Sequence, residues 1–509
     1  MPAEPSLTRR AVMGAGWLVA WRMVSRALGF ISTLVLARLL VPADFGLVAM
    51  ATTFSGAIDS LSQFSVEDML VRRVEDDTRL HDAAFTIQLG RAVLTGALIA
   101  AGAPFAADWF HEPRLVPVLL VLGGLSVVSG FENIGLVAFR RALRFDVQFR
   151  LSLIPRLLQV LTTVGVALEW RSYWALLAGM AVTRLARLIM TYLVHPYRPR
   201  LGLRGWRELA GFSGWLWAAS LARLVWDRYD PFLIGPAFGA ASLGVFQIAQ
   251  AVAQLPVTEL VAPASDVLLA GFSAGQREGS RAVAAPAPLG VAAVMLLTPI
   301  VLTLSAGAGD VVRIMLGGAL RWSPAVPLVS LFSLTCLISP VGYVVRASMI
   351  ARGLVRREFG AMICAAAVRV WLIWLAVQAN SLPVVAGAAV ACAVVETVLF
   401  CFQLGRAGAL GIRQAGGSSV RLVLAAVVTA IALWRTGLGW VAVPGVPPLG
   451  AAMEHLTLLA LAGSGLFVGG LGLLWWIAGR PEGAERILLR VMLQAIAPLR
   501  ARCGGVGNA

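Results

Sequence analysis

Apolar residues in this chain come in long, nearly uninterrupted blocks, and the blocks recur from one end of the sequence to the other. A helical span of a bilayer core takes about 20 apolar residues, and about 14 windows reach that length. They fall near 15–38, 45–66, 83–103, 115–137, 149–168 and 173–194, then 212–234, 241–262, 285–305, 325–346, 359–378 and 383–404, with a last pair near 420–437 and 455–477. The connections are short and polar. The longest outer ones, 305–324 and 438–454, are too short for a folded domain. The pattern predicts an all-α polytopic membrane protein of about 14 transmembrane helices.

Composition agrees. Of 509 residues 59% are hydrophobic and 13% charged, with a mean hydropathy of +0.82, against roughly 45–50% and about 25% in soluble domains. Every one of the 42 basic residues is Arg, which excludes lysine-dependent phosphate loops, Schiff bases and lysine general bases. Cys336, Cys364, Cys392, Cys401 and Cys503 show no CxxC spacing, and His81, His111, His195 and His455 stand apart in the sequence. No metal site and no cofactor is expected. Arg22 and Arg26 interrupt the first apolar run, so it reads as a first span and not as a cleavable signal.

Arg is also unevenly placed. Alternate loops hold 27 of these residues, including Arg140, Arg141, Arg144 and Arg150, whereas the opposite loops hold 5: Arg114, Arg171, Arg313, Arg321 and Arg435. Cytoplasmic loops carry the basic excess, so both termini are expected in the cytoplasm of a bacterial inner-membrane protein. The net charge of +16 then reflects topology; dispersed over many loops, it is no nucleic-acid footprint. Between Arg480 and Arg502, Arg alternates with apolar residues, as in a basic amphipathic helix lying on anionic membrane lipid.

Two segments about 198 residues apart are alike: LVLARLLVPADFGLVAMA (Leu34–Ala51) and PFLIGPAFGAASLGVFQIA (Pro231–Ala249), with Gly46 on Gly244 and Ala51 on Ala249. Six spans lie between them, so both copies have one orientation. This predicts two parallel-related six-helix bundles around a central cavity. The expected division is 1–204 and 205–410 for the bundles, 411–478 for an additional helix pair, and 479–509 for the basic tail.

Ionisable groups at mid-membrane cost about 2.5–3.5 kcal/mol each even on the lower scales, yet several are expected here. Arg22 and Arg26 share a face of the first span, Arg223, Asp227 and Arg228 sit on the seventh, and Arg91, Arg156, Arg184, Arg187 and Arg369 fall within others. Asp59, Glu132, Glu259 and Glu396 are the acidic counterparts. For Arg156, Arg187 and Glu132 snorkelling at inner ends suffices. Arg22, Arg26, Arg223 and Arg369 fall near mid-span with few acids to match them, which points to a wet cationic cavity. Guanidinium forks pair bidentately with phosphate oxygens, so the expected ligand is a phosphate-bearing anion.

ARLLVPADFGLVAMA (Ala37–Ala51), FSGAIDSLSQFSVEDMLVRR (Phe54–Arg73) and DRYDPFLIGPAFGAASLGVFQIAQ (Asp227–Gln250) resemble the polysaccharide transporter family, the oligosaccharide and O-antigen-type flippases of the multidrug/oligosaccharidyl-lipid/polysaccharide superfamily. The resemblance extends over residues 10–410. It implies twelve to fourteen helices in two bundles, no ATPase domain, and ion-coupled alternating access that moves undecaprenyl-diphosphate-linked oligosaccharides to the outer leaflet. On that reading Arg22, Arg26, Arg223 and Arg369 bind the diphosphate, and Asp59, Asp227 or Glu259 takes H⁺ or Na⁺. Polysaccharide polymerase and export proteins are the partners it implies. The alternatives are a multidrug or metabolite exporter or a lipid II flippase of the same superfamily, or a membrane polysaccharide polymerase. An enzyme would need acids and bases in a large loop, and a transporter is expected.

Overall fold

A computed structural model describes the backbone of residues 7–61, 70, 78–142, 144–204, 213–261, 286–317, 320–408, 412–440 and 448–490, and the side chains of these except 7–20, 22, 145, 213–228, 320 and 412–414. The described residues form helices joined by short turns and one extended segment, without a strand. The helices are α1 (Leu7–Leu39), α2 (Pro42–Leu61), α3 (Thr78–Phe110), α4 (Leu115–Gly130), α5 (Val137–Arg141), α6 (Phe145–Trp170), α7 (Trp174–Val194) and α8 (Ser213–Ala253), followed by α9 (Pro286–Ala306), α10 (Ala308–Leu316), α11 (Ala325–Ala351), α12 (Val355–Gln378), α13 (Leu382–Gly405), α14 (Ile412–Arg435) and α15 (Leu449–Ile477). Among the described residues ten helices are long and apolar enough to span a bilayer, or eleven if the bent pair α4–α5 is one span.

The helices follow the apolar windows closely, one window is broken, and one helix runs through an expected connection with a kink. The window expected at 115–137 stops at Gly130 and resumes at Ile134 after a bend of 61°. Side chains hold this break. Gln88 Nε2 donates to the Gly130 and Glu132 carbonyls at 3.2 and 3.1 Å, replacing helical partners that the bend removes. Asn133 Oδ1 accepts from Gly135 N at 2.9 Å, and its Nδ2 donates to the Tyr197 carbonyl at 2.7 Å. Backbone freed from a helix at membrane depth must find such partners or line a cavity. In α8 the break is at Gly239, with φ 77° and ψ 175°, a conformation open essentially only to glycine.

The chain forms two compact units, Met1–Val245 and Phe246–Ala509. The first extends beyond the repeat-based boundary at 204 because the second half of α8 packs on α2 and α3: Phe232 stacks on Phe110 at 6.0 Å, and Gly235 lies against Phe110 and Met50. Within this unit the extended segment after α7 is strapped to α3. The Tyr197 hydroxyl donates to Asp82, Arg200 N donates to the same carboxylate at 2.9 Å, and Gly202 N donates to Thr86 Oγ1 at 2.9 Å. His81 and His195, separate in the sequence, come to 5.7 and 6.4 Å from the Tyr197 ring.

In the second unit a continuous core joins Val291 and Met295 of α9, Val345 and Met349 of α11, and Phe400 of α13 to Ala415, Leu422 and Ala425 of α14 and Phe467 of α15. The C-terminal helix pair is thus built into this unit. Ala484 is buried in the same core, so the stretch expected to open a membrane-surface tail begins as a docked segment. Glu485 accepts from Arg421 Nε at 2.7 Å and from Ser418 Oγ at 2.6 Å. At the other end Asp310 of α10 meets His455 of α15 at 2.6 Å, and Trp440 N donates to the Ala306 carbonyl at 2.9 Å.

Candidate functional site

The Pro-x-Asp-Phe-Gly sequence has a local physical meaning. Pro42 opens α2 in the position where a missing N–H costs nothing. Asp44, two residues on, reaches back to accept from Val41 N at 3.3 Å, one half of a capping box. Gly46 then permits a backbone crossing: a Cβ there would lie 1.7 Å from the Ala240 carbonyl oxygen, and a Cβ on Gly244 would lie 1.9 Å from the Pro42 carbonyl oxygen. Pro42 and Gly46 correspond to Ala240 and Gly244 under the 198-residue offset of the repeat. The contact is therefore reciprocal, as contacts about a two-fold axis are, and it is inside the first unit.

The cationic residues expected from the sequence divide into three groups. Arg22, Arg223 and Asp227 lie on helical backbone, and their side chains are outside the described residues. Arg26 is half-buried on α1. Arg369 lies 3.9 Å from Glu396, an acidic neighbour on the adjacent helix that spacing did not assign to it. Among the acids, Asp59 is half-exposed and paired with Arg91 at 3.1 Å, and Glu259 is exposed on the helical turn Val257–Val261.

A guanidinium that the sequence set aside joins this group. Arg156 was expected to snorkel from the inner end of its span. Instead it lies on α1, with Nη2 2.7 Å from the position of a Gly29 Cβ, and Nη1 donating to Gln159 Oε1 at 2.8 Å. Its Nε is buried and has no hydrogen-bond partner among the described residues. Gly29 is on the stripe of α1 that carries Arg22 and Arg26, at i, i+4 and i+7. The helices α1 and α6 run side by side, with Trp21 edge-on to Phe149 at 6.5 Å. Arg156 therefore extends the cationic row of α1, and the signal that could have found it is the small residue facing it.

Below that row, at the Arg-rich end of the same unit, the α4–α5 break lines a cavity of about 240 Å³ bounded by α3, α6 and α7. Arg187 Nε donates to Glu132 Oε2 at 2.8 Å on its wall, so the Arg187 charge is matched.

The family model described as "Polysaccharide biosynthesis protein" matches residues 35–327, more than half of the chain. The chain belongs to that family. Two curated relatives support the assignment. The succinoglycan biosynthesis transport protein ExoT of Rhizobium meliloti is 23% identical over 65% of this chain and 67% of its own length. The lipopolysaccharide biosynthesis protein WzxC of Escherichia coli is 22% identical over 70% and 72%. Among solved structures the fold is similar to that of the lipid II flippase MurJ in an inward closed conformation, with a TM-score of 0.64 at 13% identity, covering 89% of this chain and 99% of that one. It is also similar to an inward-facing MATE multidrug resistance transporter, with a TM-score of 0.58 at 15% identity over 77% and 98%. The protein is a multi-pass membrane member of this polysaccharide biosynthesis family, built of helices among the described residues.

Proposed function

We propose that the protein is a flippase carrying undecaprenyl-diphosphate-linked oligosaccharide repeat units across the bacterial inner membrane, for exopolysaccharide, capsule or O-antigen assembly, by ion-coupled alternating access. The observation that carries the proposal is the cationic row on α1, where Arg22 and Arg26 share one stripe and Arg156 of α6 lies against the same stripe at Gly29. Guanidinium groups set in a row on one helix stripe suit a multiply charged anion, and a diphosphate offers several oxygens to such forks. Arg223 and Arg369 complete the proposed diphosphate set, and Asp59, Asp227 or Glu259 takes the coupling H⁺ or Na⁺. The names of ExoT and WzxC supply the polysaccharide context. Solved relatives of this fold carry the titles inward closed and inward-facing, which supports a cycle of alternating conformations. A cation exporter on the same fold would be expected to line its path with acids, opposite to the Arg row.

The termini are proposed to be cytoplasmic, from the Arg excess of alternate loops. The test is Arg26→Ala in a host whose own copy is deleted. Polymer export should fall at least tenfold with membrane levels of the protein unchanged, and lipid-linked repeat units should accumulate on the inner leaflet. Arg26→Lys, which keeps the charge and loses the fork, should recover part of the activity. Normal export from Arg26→Ala would reject the site, and normal export from the deletion host would reject the function.

A further inference from the structure

We infer that the cavity at the α4–α5 break is a saccharide-binding subsite, where the sugar next to the diphosphate is held before translocation. The inference rests on the proposed cargo, and its first observation is the charge balance of the walls. Glu132 and Arg187 neutralise each other at 2.8 Å, and a carboxylate in the lining repels phosphate. Apart from Arg140, the other polar side chains of the lining, among them Gln88, Gln148 and Ser152, are uncharged, and apolar side chains such as Phe139 and Leu151 complete the wall. Gln148 and Ser152 project into the cavity from α6, and neither has a hydrogen-bond partner among the described residues. Gln88 spends its amide N–H groups on the broken helix, which leaves its carbonyl oxygen to accept. Half-buried amides and hydroxyls in a concave site call for a ligand that both donates and accepts. A polyhydroxylated ring does so at several points of its edge, and the volume of about 240 Å³ suits a single ring.

The second observation is continuity with the cationic row. Gln148, Ser152 and Arg156 follow at i, i+4 and i+8 along α6, on one stripe of the helix. Ser152 and Arg156 are separated by about 6 Å of helix rise. That places a sugar in the cavity and a diphosphate at Arg156 and Arg26 within the span of one glycosyl diphosphate. The cavity also opens at the end of the unit where Arg140, Arg141, Arg144 and Arg150 cluster in sequence, the side taken as cytoplasmic.

Saturation-transfer NMR on the full chain in nanodiscs tests this, with free glucose, galactose, mannose and N-acetylglucosamine as probes. At least one sugar should give a transfer signal that Gln148→Leu and Ser152→Ala each reduce at least fivefold. Both polar variants keep an ordinary helix former on α6, and unaltered thermal unfolding identifies them as folded. No transfer from any of the four sugars to the wild-type protein, or equal transfer to the folded Gln148→Leu protein, would overturn the subsite. The export assay of Arg26→Ala fails or succeeds independently of these signals, so loss of the subsite and loss of the flippase reading are separable.

Discussion

In the unit Met1–Val245 some charges pair, as Arg91 with Asp59 and Arg187 with Glu132, while other polar side chains line a cavity or lie against α1; in the unit Phe246–Ala509 described charges close in pairs, several of them near helix ends. The second unit holds the two most buried spans: the most apolar stretches of α9 and α11 are 61% and 56% buried, whereas α6 and α7 of the first unit, like α15 of the second, are 22%, 17% and 17% buried. Its charges meet as Arg346 with Glu358 at 2.9 Å, Arg421 with Glu485 at 2.7 Å and Asp310 with His455 at 2.6 Å. The first unit instead leaves Gln148, Ser152 and one edge of Arg156 without partners among the described residues. Polar surface costs stability, so its retention in the first unit agrees with the ligand site proposed there.

Breaking the crossing at Gly46 should have the largest effect. The Cβ of Gly46→Ala would meet a backbone carbonyl at 1.7 Å, and no rotamer change relieves that clash, so the helices must part. A loss of about 3 kcal/mol or more is expected, read as a lowered thermal midpoint in detergent together with loss of export. Gly244→Ala should behave alike, because its obstacle is the equivalent carbonyl of Pro42 at 1.9 Å. Gly90→Ala meets nothing within 4 Å and should be neutral or slightly stabilising. A Gly46→Ala protein as stable as wild type would mean that the crossing is not packed in this way.

Glu485→Gln tests the second unit. Side-chain exposures of 13% for Arg421 and 6% for Glu485 make this a buried pair, and removing one charge leaves the other uncompensated. A cost of about 2–3 kcal/mol is expected, with faster proteolysis of the tail. Burial pulls the Glu485 carboxyl upward, but the hydrogen bonds from Arg421 and Ser418 outweigh it and set the group below its ordinary value. A lowered folded-state pKa gives a contribution fully present above the ordinary Glu value of about 4.3. That contribution is lost as pH falls through the lowered folded value. The gap between wild type and Glu485→Gln should therefore be constant at neutral pH and close in the acid range.

Arg369 and Glu396 separate packing from ligand handling. Arg369→Met alone strands a carboxyl in apolar surroundings and should cost about 1 kcal/mol or more. The double variant Arg369→Met with Glu396→Gln should return to within about 1 kcal/mol of wild type, as replaced buried pairs often do. If Arg369 binds cargo, export stays lost in the double variant although its stability recovers. Recovery of both would remove Arg369 from the proposed site.

Much of the fold was legible because a bilayer imposes one dominant period and length. Windows such as 173–194 and 383–404 coincide with α7 and α13 to within one residue. Gly46 and Gly244 stood out in the sequence as matched positions, although only the structure reveals that the backbones around them cross. The break after Gly130 was not legible. Its cause is long-range, in Gln88 and Tyr197, and the local sequence reads as one apolar run. Arg156 was misplaced for a related reason: hydropathy gives the depth of a residue but not which helix it faces, and Gly29 is 127 positions away. The Glu396 neighbour of Arg369 was hidden in the same way, by a hairpin that brings residues 27 apart together.

The smallest effect belongs to the connection between α3 and α4, beside the crossing. Arg114 donates to both Glu112 carboxylate oxygens at 2.8 Å, and the hydrogen bond from Arg114 holds the Glu112 carboxyl below its ordinary value. With Arg114 48% exposed, solvent screens the pair and its worth is about 0.5 kcal/mol. Arg114 also feels the buried Asp44 carboxylate at the start of α2. Glu112→Gln should therefore cost little, since the freed guanidinium has Asp44 as a second acid, and export should be unchanged. The depressed carboxyl sets the pH window: the small stability difference is fully present above about pH 4.3 and is lost as pH falls through the lowered folded value. Thermal unfolding of wild type and Glu112→Gln at neutral pH and in acid, below that lowered value, measures the difference. A cost comparable to that of Gly46→Ala would mean that the crossing is held by this ion pair more than by the glycines, and the contrast between a packed unit and a ligand-handling one would then have to be drawn from electrostatics.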